Sequence, residues 1–135
     1  MRFTGAVLSR IFCPMIENVK RGIEGEVVAK KYLESKGYEV LDLNVSYRSI
    51  GELDIVAMDR ETLVFVEVKA RKDDKFGHPL DSVDYKKRKR VVAASGKYLS
   101  DHQTLSYKDI RYDVIAILGD DIEHYEDAFY GKWLK

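Results

Sequence analysis

The sequence has very little cysteine and no long apolar run. Cys13 is the 1 cysteine among 135 residues, which excludes an intramolecular disulfide and any cysteine-rich metal site. The longest uncharged stretches are a handful of residues, whereas a membrane-spanning helix needs ~20. We therefore expect a cytoplasmic protein that does not cross a membrane.

An excess of one charge is also missing. The 23 basic and 23 acidic residues cancel, so a nucleic-acid partner would have to bind a local basic patch. The composition, with 45% hydrophobic and 34% charged residues, is typical of one globular domain. We divide the chain into an N-terminal extension at residues 1–17, which has no assigned role, and a single domain at residues 18–135.

The periodicity of apolar residues predicts two helices and five strands. The first helix runs from Asn18, a plausible cap, to Gly37, and the second begins at Asp81 or Ser82 and ends near Leu99. Alternating segments that predict strands lie at residues 38–44, 50–58, 62–71, 110–118 and 122–125. This order predicts an α/β fold in which a mixed central sheet is flanked by helices.

Each predicted helix carries one charged residue on its apolar side. Counting by three and four places Glu26 on the same side as Ala29 and Leu33. Lys87 falls on the apolar stripe of the second helix together with Val91. We therefore expect both charged side chains to point toward the domain interior.

The hairpin formed by the strands at 50–58 and 62–71 places charged residues together. A turn that sets Met58 opposite Leu63 would set Asp54 opposite Glu67 and Glu52 opposite Lys69. Strict alternation puts Glu52 and Asp54 on the face of Ile50, Val56 and Met58. Two carboxylates would then face each other across the ladder.

Opposed carboxylates repel unless a cation lies between them. Mg²⁺ or Mn²⁺ would accept oxygens from Asp54, Glu67 and the backbone carbonyl of Val68. Lys69 could then orient a water or stabilise charge on a phosphate, with Glu26 as an outer carboxylate. In the simpler interpretation, the same residues form a solvated sheet end with an ion pair between Glu52 and Lys69, and spacing alone does not decide.

Several cations flank this charged end. The run of five basic residues at 86–90 wraps around a helix, so it cannot form one flat face. Lys87 and Arg90 are the better candidates for contacting a phosphate, and Arg48 and Arg71 flank the same end. The residues expected at the surface without a role are His78, His102 and His124, and those expected in the core are Tyr32, Tyr38, Tyr98 and Tyr112.

The chain resembles a known bacterial family along most of its length. The motif residues include Gly25-Glu26, Gly51-Glu52-Leu53-Asp54, Phe65-Val66-Glu67-Val68-Lys69, Phe76-Gly77, Lys87, Arg90 and Arg111-Tyr112-Asp113-Val114. Together they resemble the YraN-type family of uncharacterised bacterial proteins, which is usually placed in the PD-(D/E)xK nuclease superfamily. Leu53 stands where the name of the superfamily has proline.

The resemblance implies a restriction-endonuclease-like αβββαβ core similar to that of archaeal Holliday junction resolvases. It also implies that Asp54, Glu67 and Lys69 are the motif residues and that Glu26 is the helix carboxylate. The expected activity is metal-dependent cleavage of branched or single-stranded nucleic acid, with DNA favoured over RNA, Mg²⁺ or Mn²⁺ as cofactor, and a homodimer as one assembly. The alternatives are a nucleic-acid-binding module without turnover and a protein-interaction domain.

Overall fold

Two helices pack on a six-stranded sheet. The computed structural model describes residues 10–12, 23–71, 85–119 and 121–129. The elements in chain order are β1 (Arg10–Phe12), α1 (Ile23–Ser35), β2 (Glu39–Tyr47), β3 (Gly51–Asp59), β4 (Thr62–Arg71), α2 (Tyr85–Asp101), β5 (Asp109–Leu118) and β6 (Asp121–Tyr125).

The strand order in the sheet is β1-β6-β5-β4-β3-β2. The pairing of β4 with β5 is parallel and the other pairings are antiparallel. Parallel neighbours need a crossover, and α2 supplies it. The mixed α/β fold with the αβββαβ order is therefore confirmed. Within the described ranges, neither helix is long and apolar enough to cross a membrane.

The observed elements match the predicted ones closely, with one addition at the N-terminus. The predicted helix starts at Asn18 and at Asp81 or Ser82 lie outside the described residues. The strand β1 lies in the extension at residues 1–17, for which no element was predicted, and it pairs with β6 at the sheet edge. Its 3 residues are too few to show a period in the sequence.

The core has one cluster on each face of the sheet. On the α1 side, helix residues such as Ala29 and Leu33 pack against Val64 and Val66 of β4. On the α2 side, the second cluster includes Leu53, Val56, Leu63, Phe65, Val91, Ala94 and Tyr98. The four tyrosines expected in the core are buried, at positions Tyr32, Tyr38, Tyr98 and Tyr112.

The hairpin register agrees with the predicted turn, but the ladder is shorter than expected. Met58 pairs with Leu63, and regular pairing of β3 with β4 ends at Ile55 and Val66. Asp54 is therefore the first residue of β3 beyond the regular ladder. The expected pairing of Glu52 with Lys69 is wrong, because Glu52 pairs with Ser46 of β2 and the β3–β4 ladder does not reach it.

Strict alternation along β3 is also wrong. Val56 packs on the α2 side and Ile55 on the α1 side, yet Leu53 packs on the α2 side. The side-chain direction thus changes at Asp54. The neighbouring strand changes in step, because Leu43 packs on the α1 side and Val45 on the α2 side.

Asn44, which lies between Leu43 and Val45, has a φ of 53°. This left-handed conformation is one that asparagine tolerates better than most residues. The strands β2 and β3 keep the same register on both sides of this point, so the two strands reorient together. No alternating pattern in the sequence signals this joint reorientation.

His124 does not lie at the surface, contrary to the expectation from sequence, since it is only 2% exposed. Its Nε2 lies 2.8 Å from Oδ2 of Asp113, and its Nδ1 lies 3.1 Å from the Tyr32 hydroxyl. Arg111 donates from Nε and Nη2 to the same carboxylate. Buried polar partners, which sequence spacing does not reveal, explain why this histidine is in the interior.

Candidate active site

Asp54 lies at the point where β3 changes face. Its Oδ2 accepts a hydrogen bond of 2.9 Å from the backbone N–H of Val68 in β4. The carboxylate thus takes a backbone donor just where the regular ladder has ended. Because Asp54 is at the change of face, its charge raises the pKa of acidic groups from both layers of the fold. These are Glu26 of α1 and Glu67 on the α2 side.

Glu67 is a buried carboxylate with an incomplete set of partners. It is 1% exposed, and its Oε1 lies 3.2 Å from Nζ of Lys87. Lys87 is thus the ion-pair partner of this oxygen, although the geometric criteria give Oε1 no hydrogen bond from any described residue. A buried carboxylate held by one partly solvated ammonium is costly, so the position can accept a further positive group.

Glu26 of α1 approaches the same site from the other layer. It is 8% exposed, and its Oε1 has no hydrogen-bond partner among the described residues. The preceding glycine permits this approach, since a Cβ on Gly25 would lie 3.2 Å from Cβ of Ala70 in β4. The close contact of helix and strand brings the Glu26 carboxyl within hydrogen-bonding reach of Asp54.

The three carboxyl groups are electrostatically strained. Burial raises the pKa of Glu67 to about 8, and the negative charge of Asp54 adds to this. Burial likewise raises the pKa of Glu26 to about 7, with Asp54 as the second cause. Because burial and the charge of Asp54 raise the pKa of both Glu26 and Glu67, these two carboxyl groups favour either bound protons or a bound cation near neutral pH.

Two lysines offset part of this negative charge. The positive charges of Lys87 and Lys69 both lower the pKa of Glu67, although burial and Asp54 outweigh them. Burial of Lys87 opposes its own charging, but Glu67 and then Asp54 and Glu52 outweigh burial and raise the pKa of the Lys87 ammonium. Lys87 does not bring the pKa of Glu67 back to its ordinary range, because Lys87 is partly solvated whereas the carboxylate is buried.

A polar cleft of about 550 Å³ opens beside this group, between the β2–β3 turn and α2. Arg48, Lys87 and Arg90 line it, which brings together three of the four cations expected to contact a phosphate. The backbone of Arg71 ends β4, and its side chain lies outside what the structure describes. Lys87 connects the cleft to the three carboxyl groups. It lines the cleft together with Glu52, it contacts Glu67, and the charge of Asp54 raises its pKa.

The donor set suits a hard divalent cation. Asp54 and Glu67 would supply carboxylate oxygens and Val68 a carbonyl oxygen, which are ligands that Mg²⁺ and Mn²⁺ accept. The buried Oε1 atom of Glu67, which lies 3.2 Å from Nζ of Lys87 and has no hydrogen bond from the described residues, favours positive charge at this position. In the described ranges, no three acidic, histidine or cysteine side chains form a metal site by themselves, so backbone and solvent oxygens would complete the set.

Sequence reasoning named Gly25 and Gly51 as motif residues but did not assign them the contacts that hold this geometry. Gly25 and Gly51 each stand one residue before an acidic residue of a motif, and each allows a close contact between a helix and the sheet. Cleft residues such as Ser46, Tyr47 and Ser49 were not singled out either. Glycine before an acidic motif residue was a usable signal, whereas the cleft depends on the packing of α2.

Comparison with known proteins agrees with the motif resemblance. The model of UPF0102, an uncharacterised protein family, matches residues 25–117. A UPF0102 protein of Clostridioides difficile is 40% identical over 116 residues, which cover 84% of this chain and 100% of that protein. A relative from Syntrophus aciditrophicus is 42% identical over 125 residues, covering 87% of this chain and 97% of its own length. With most of both sequences aligned at this identity, the chain belongs to the uncharacterised protein family UPF0102.

Proposed function

We propose that the protein is a metal-dependent nuclease that hydrolyses phosphodiester bonds. The observation that carries the proposal is the Glu67 carboxylate, which is buried near the charge of Asp54 and whose Oε1 is met, among the described residues, by the partly solvated ammonium of Lys87. Two neighbouring carboxylates at a buried position repel, and a divalent cation between them would offset this repulsion. The motif resemblance to PD-(D/E)xK nucleases supports the same activity.

Each side chain has a chemical task in this proposal. Asp54, Glu67 and the Val68 carbonyl would hold the cation, which when bound would neutralise phosphate charge and promote hydrolysis. Lys69 would stabilise charge that develops on the phosphate or orient the attacking water. Lys87 would favour the ionised form of Glu67, whose pKa it lowers, and present positive charge to the substrate backbone.

The test is a cleavage assay on single-stranded, duplex, flapped and four-way branched DNA, and on RNA, with Mg²⁺ or Mn²⁺. Wild type is compared with Asp54→Asn, which removes the charge but keeps an oxygen that can accept the Val68 N–H. Asp109→Asn, at the exposed start of β5, is the matched control. All three proteins are purified in parallel, so that a contaminating nuclease is recognised.

We expect wild type and Asp109→Asn to cleave at least one substrate and Asp54→Asn to be inactive. Mn²⁺ binding, measured by calorimetry, should be lost in the same variant. Equal cleavage by all three preparations, or no cleavage by any across the panel, would contradict the proposal.

A nucleic-acid-binding module without turnover is the second candidate. The cleft lined by Arg48, Lys87 and Arg90 supports it, because cations at one surface bind phosphates whether or not cleavage follows. Salt-dependent binding of DNA by wild type, combined with no cleavage of any substrate and no Mn²⁺ binding, would favour this second candidate.

A further inference from the structure

We infer that the cleft between the β2–β3 turn and α2 binds one unpaired nucleotide of a nucleic-acid strand, with its phosphate held by Arg48 and Arg90. The inference deepens the proposed function, on which it rests, by naming the substrate class as nucleic acid with a single-stranded segment. The cleft adjoins the acidic group through Lys87, which lines the cleft and contacts Glu67.

The guanidinium groups of Arg48 and Arg90 are available to bind a phosphate. Both side chains are exposed and both line the cleft. No carboxylate in the described ranges forms an ion pair with either of them. Their guanidinium groups can therefore take phosphate oxygens in the bidentate manner that arginine favours. The acidic residue of the cleft, Glu52, stands on the side toward Asp54, where the proposed cation would offset its charge.

The remaining lining suits the rest of a nucleotide. Tyr47 lines the cleft with its ring partly packed against the α2-side core and with Nζ of Lys97 6.0 Å from the ring centroid. Bases of any sequence stack on such rings, and a base on this face would take the place of Lys97. Ser46 and Ser49 add hydroxyl groups that donate to phosphate or sugar oxygens. A cleft with cations for the backbone and a ring for the base has the composition of single-strand binding sites.

The size of the cleft selects against a duplex. Its volume of about 550 Å³ falls within the roughly 300–1,000 Å³ typical of sites for single small molecules. A space of this size matches one nucleotide better than a base pair with both of its backbones. We therefore expect a single strand to make more contacts inside the cleft than paired DNA does.

The walls of the cleft are held together in the protein itself. The turn that carries Arg48 closes with a hydrogen bond of 3.0 Å from the N–H of Ile50 to the carbonyl of Tyr47. Gly51 then lies against the helix, where an added Cβ would be 2.7 Å from the carbonyl oxygen of Arg90. The cleft is thus formed before a ligand arrives, which limits the cost of ordering it on binding.

The experiment measures binding without cleavage. Fluorescence anisotropy in EDTA compares a single-stranded oligonucleotide, with and without a 5′-phosphate, a blunt duplex and a duplex with a single-stranded tail. The variants are Arg48→Ala with Arg90→Ala, and Tyr47→Ala beside the conservative Tyr47→Phe. The control, Arg60→Ala with Lys108→Ala, removes equal charge at the opposite end of the sheet. Thermal melting of each variant verifies folding.

We expect wild type to bind the single strand and the tailed duplex at least about tenfold more tightly than the blunt duplex. The double arginine variant should lose about tenfold or more for the single strand and show a shallower salt dependence. Tyr47→Ala should lose about five- to hundredfold, whereas Tyr47→Phe and the control should stay within about twofold. A gain from the 5′-phosphate would identify a strand end as the ligand, and equal affinity an internal nucleotide.

Equal loss in the double arginine variant and in the control, or equal affinity for single strand and blunt duplex, would overturn the inference. Its failure is separable from that of the proposed function. Selective binding of the single strand without Mn²⁺-dependent cleavage would contradict only the proposed nuclease activity. Cleavage without selective binding would contradict only the inference that the cleft binds an unpaired nucleotide.

Discussion

Gly51 and Arg90 are in backbone contact: a Cβ on the glycine would lie 2.7 Å from the carbonyl oxygen and 3.2 Å from the carbonyl carbon of Arg90. Distances below 3.0 Å to backbone atoms cannot be relieved by moving a flexible side chain. The first residue of β3 therefore fixes how closely α2 approaches the sheet beside Asp54.

Replacing Gly51 by alanine should push α2 away from β3. The φ of 155° at this position adds strain for any residue with a Cβ. We expect a loss of about 1–3 kcal/mol in the free energy of unfolding, the usual scale of overpacking, together with weaker nucleic-acid binding. Urea unfolding and anisotropy measure the two effects.

Gly96→Ala is the matched control, because an added Cβ there has nothing within 4 Å and the residue is exposed in α2. Alanine should stabilise the helix at that position by about 0.5–1 kcal/mol. A destabilisation of equal size in both variants would contradict the role assigned to Gly51.

The stability of the metal-free protein should fall as the pH rises from about 5 to about 8.5. Both Glu26 and Glu67 have a folded pKa raised above the ordinary value of 4.5, to about 7 and about 8. Folding then favours their protonated forms, and the stability that this gives is present below pH 4.5 and lost as the pH rises through 7 and 8. One pKa unit corresponds to about 1.4 kcal/mol.

Glu67→Gln should flatten this pH dependence, and Glu39→Gln, at an exposed position of β2, should leave it unchanged. Urea unfolding of the three proteins across the pH range measures the slopes. Mn²⁺ should raise the melting temperature of wild type more at pH 8 than at pH 6, because cation and protons compete for the same oxygens. A wild-type slope retained in Glu67→Gln would refute the assignment.

Lys69→Met should separate cation binding from catalysis. Removing one charge-stabilising or proton-transferring group typically slows a reaction by about 10²–10⁴-fold. Mn²⁺ affinity should change little, since lysine is not a ligand for such a cation. Single-turnover cleavage and calorimetry give the two quantities, with Lys108→Met, at an exposed position, as the control. Cleavage at the wild-type rate would remove Lys69 from the chemistry.

Asp113 should be the most sensitive acidic position for stability. Burial would raise its pKa, but hydrogen bonds from His124 and Arg111 outweigh burial and lower it. Asp113→Asn leaves Arg111 without its buried partner, so we expect a loss of about 3–5 kcal/mol. Asp109→Asn, at the exposed first residue of the same strand, should change the free energy of unfolding by no more than about 0.5 kcal/mol. Urea unfolding compares them.

The sign of the pH effect at Asp113 is opposite to that at Glu67. A lowered pKa contributes stability above the ordinary value of 3.8, and this is lost as the pH falls through the folded pKa. The difference in stability between wild type and Asp113→Asn should therefore shrink in acid. A constant difference down to the acid limit of folding would contradict this.

The fold was predictable because its strands and helices have clear periods and its hairpin has a turn that fixes the register. The burial of Glu26 followed from its stripe with Ala29 and Leu33, and the burial of Tyr98 and Tyr112 was also expected from the sequence. The direction of Asp54 could not be predicted, because the change of face depends on a left-handed residue in another strand. The burial of His124 depends on Asp113, whose carboxylate is a partner only in three dimensions.

The joint change of face at Asn44 and Asp54 limits how this protein can vary in length. A single-residue deletion in β3 between Gly51 and Ile55 would leave β2 reorienting alone and would turn Leu53 or Ile55 out of its cluster. To restore the packing of both strands, a second residue would have to be deleted from β2, directly opposite the deletion in β3. Loops elsewhere can lengthen or shorten during evolution, but this stretch of two strands has to keep its number of residues.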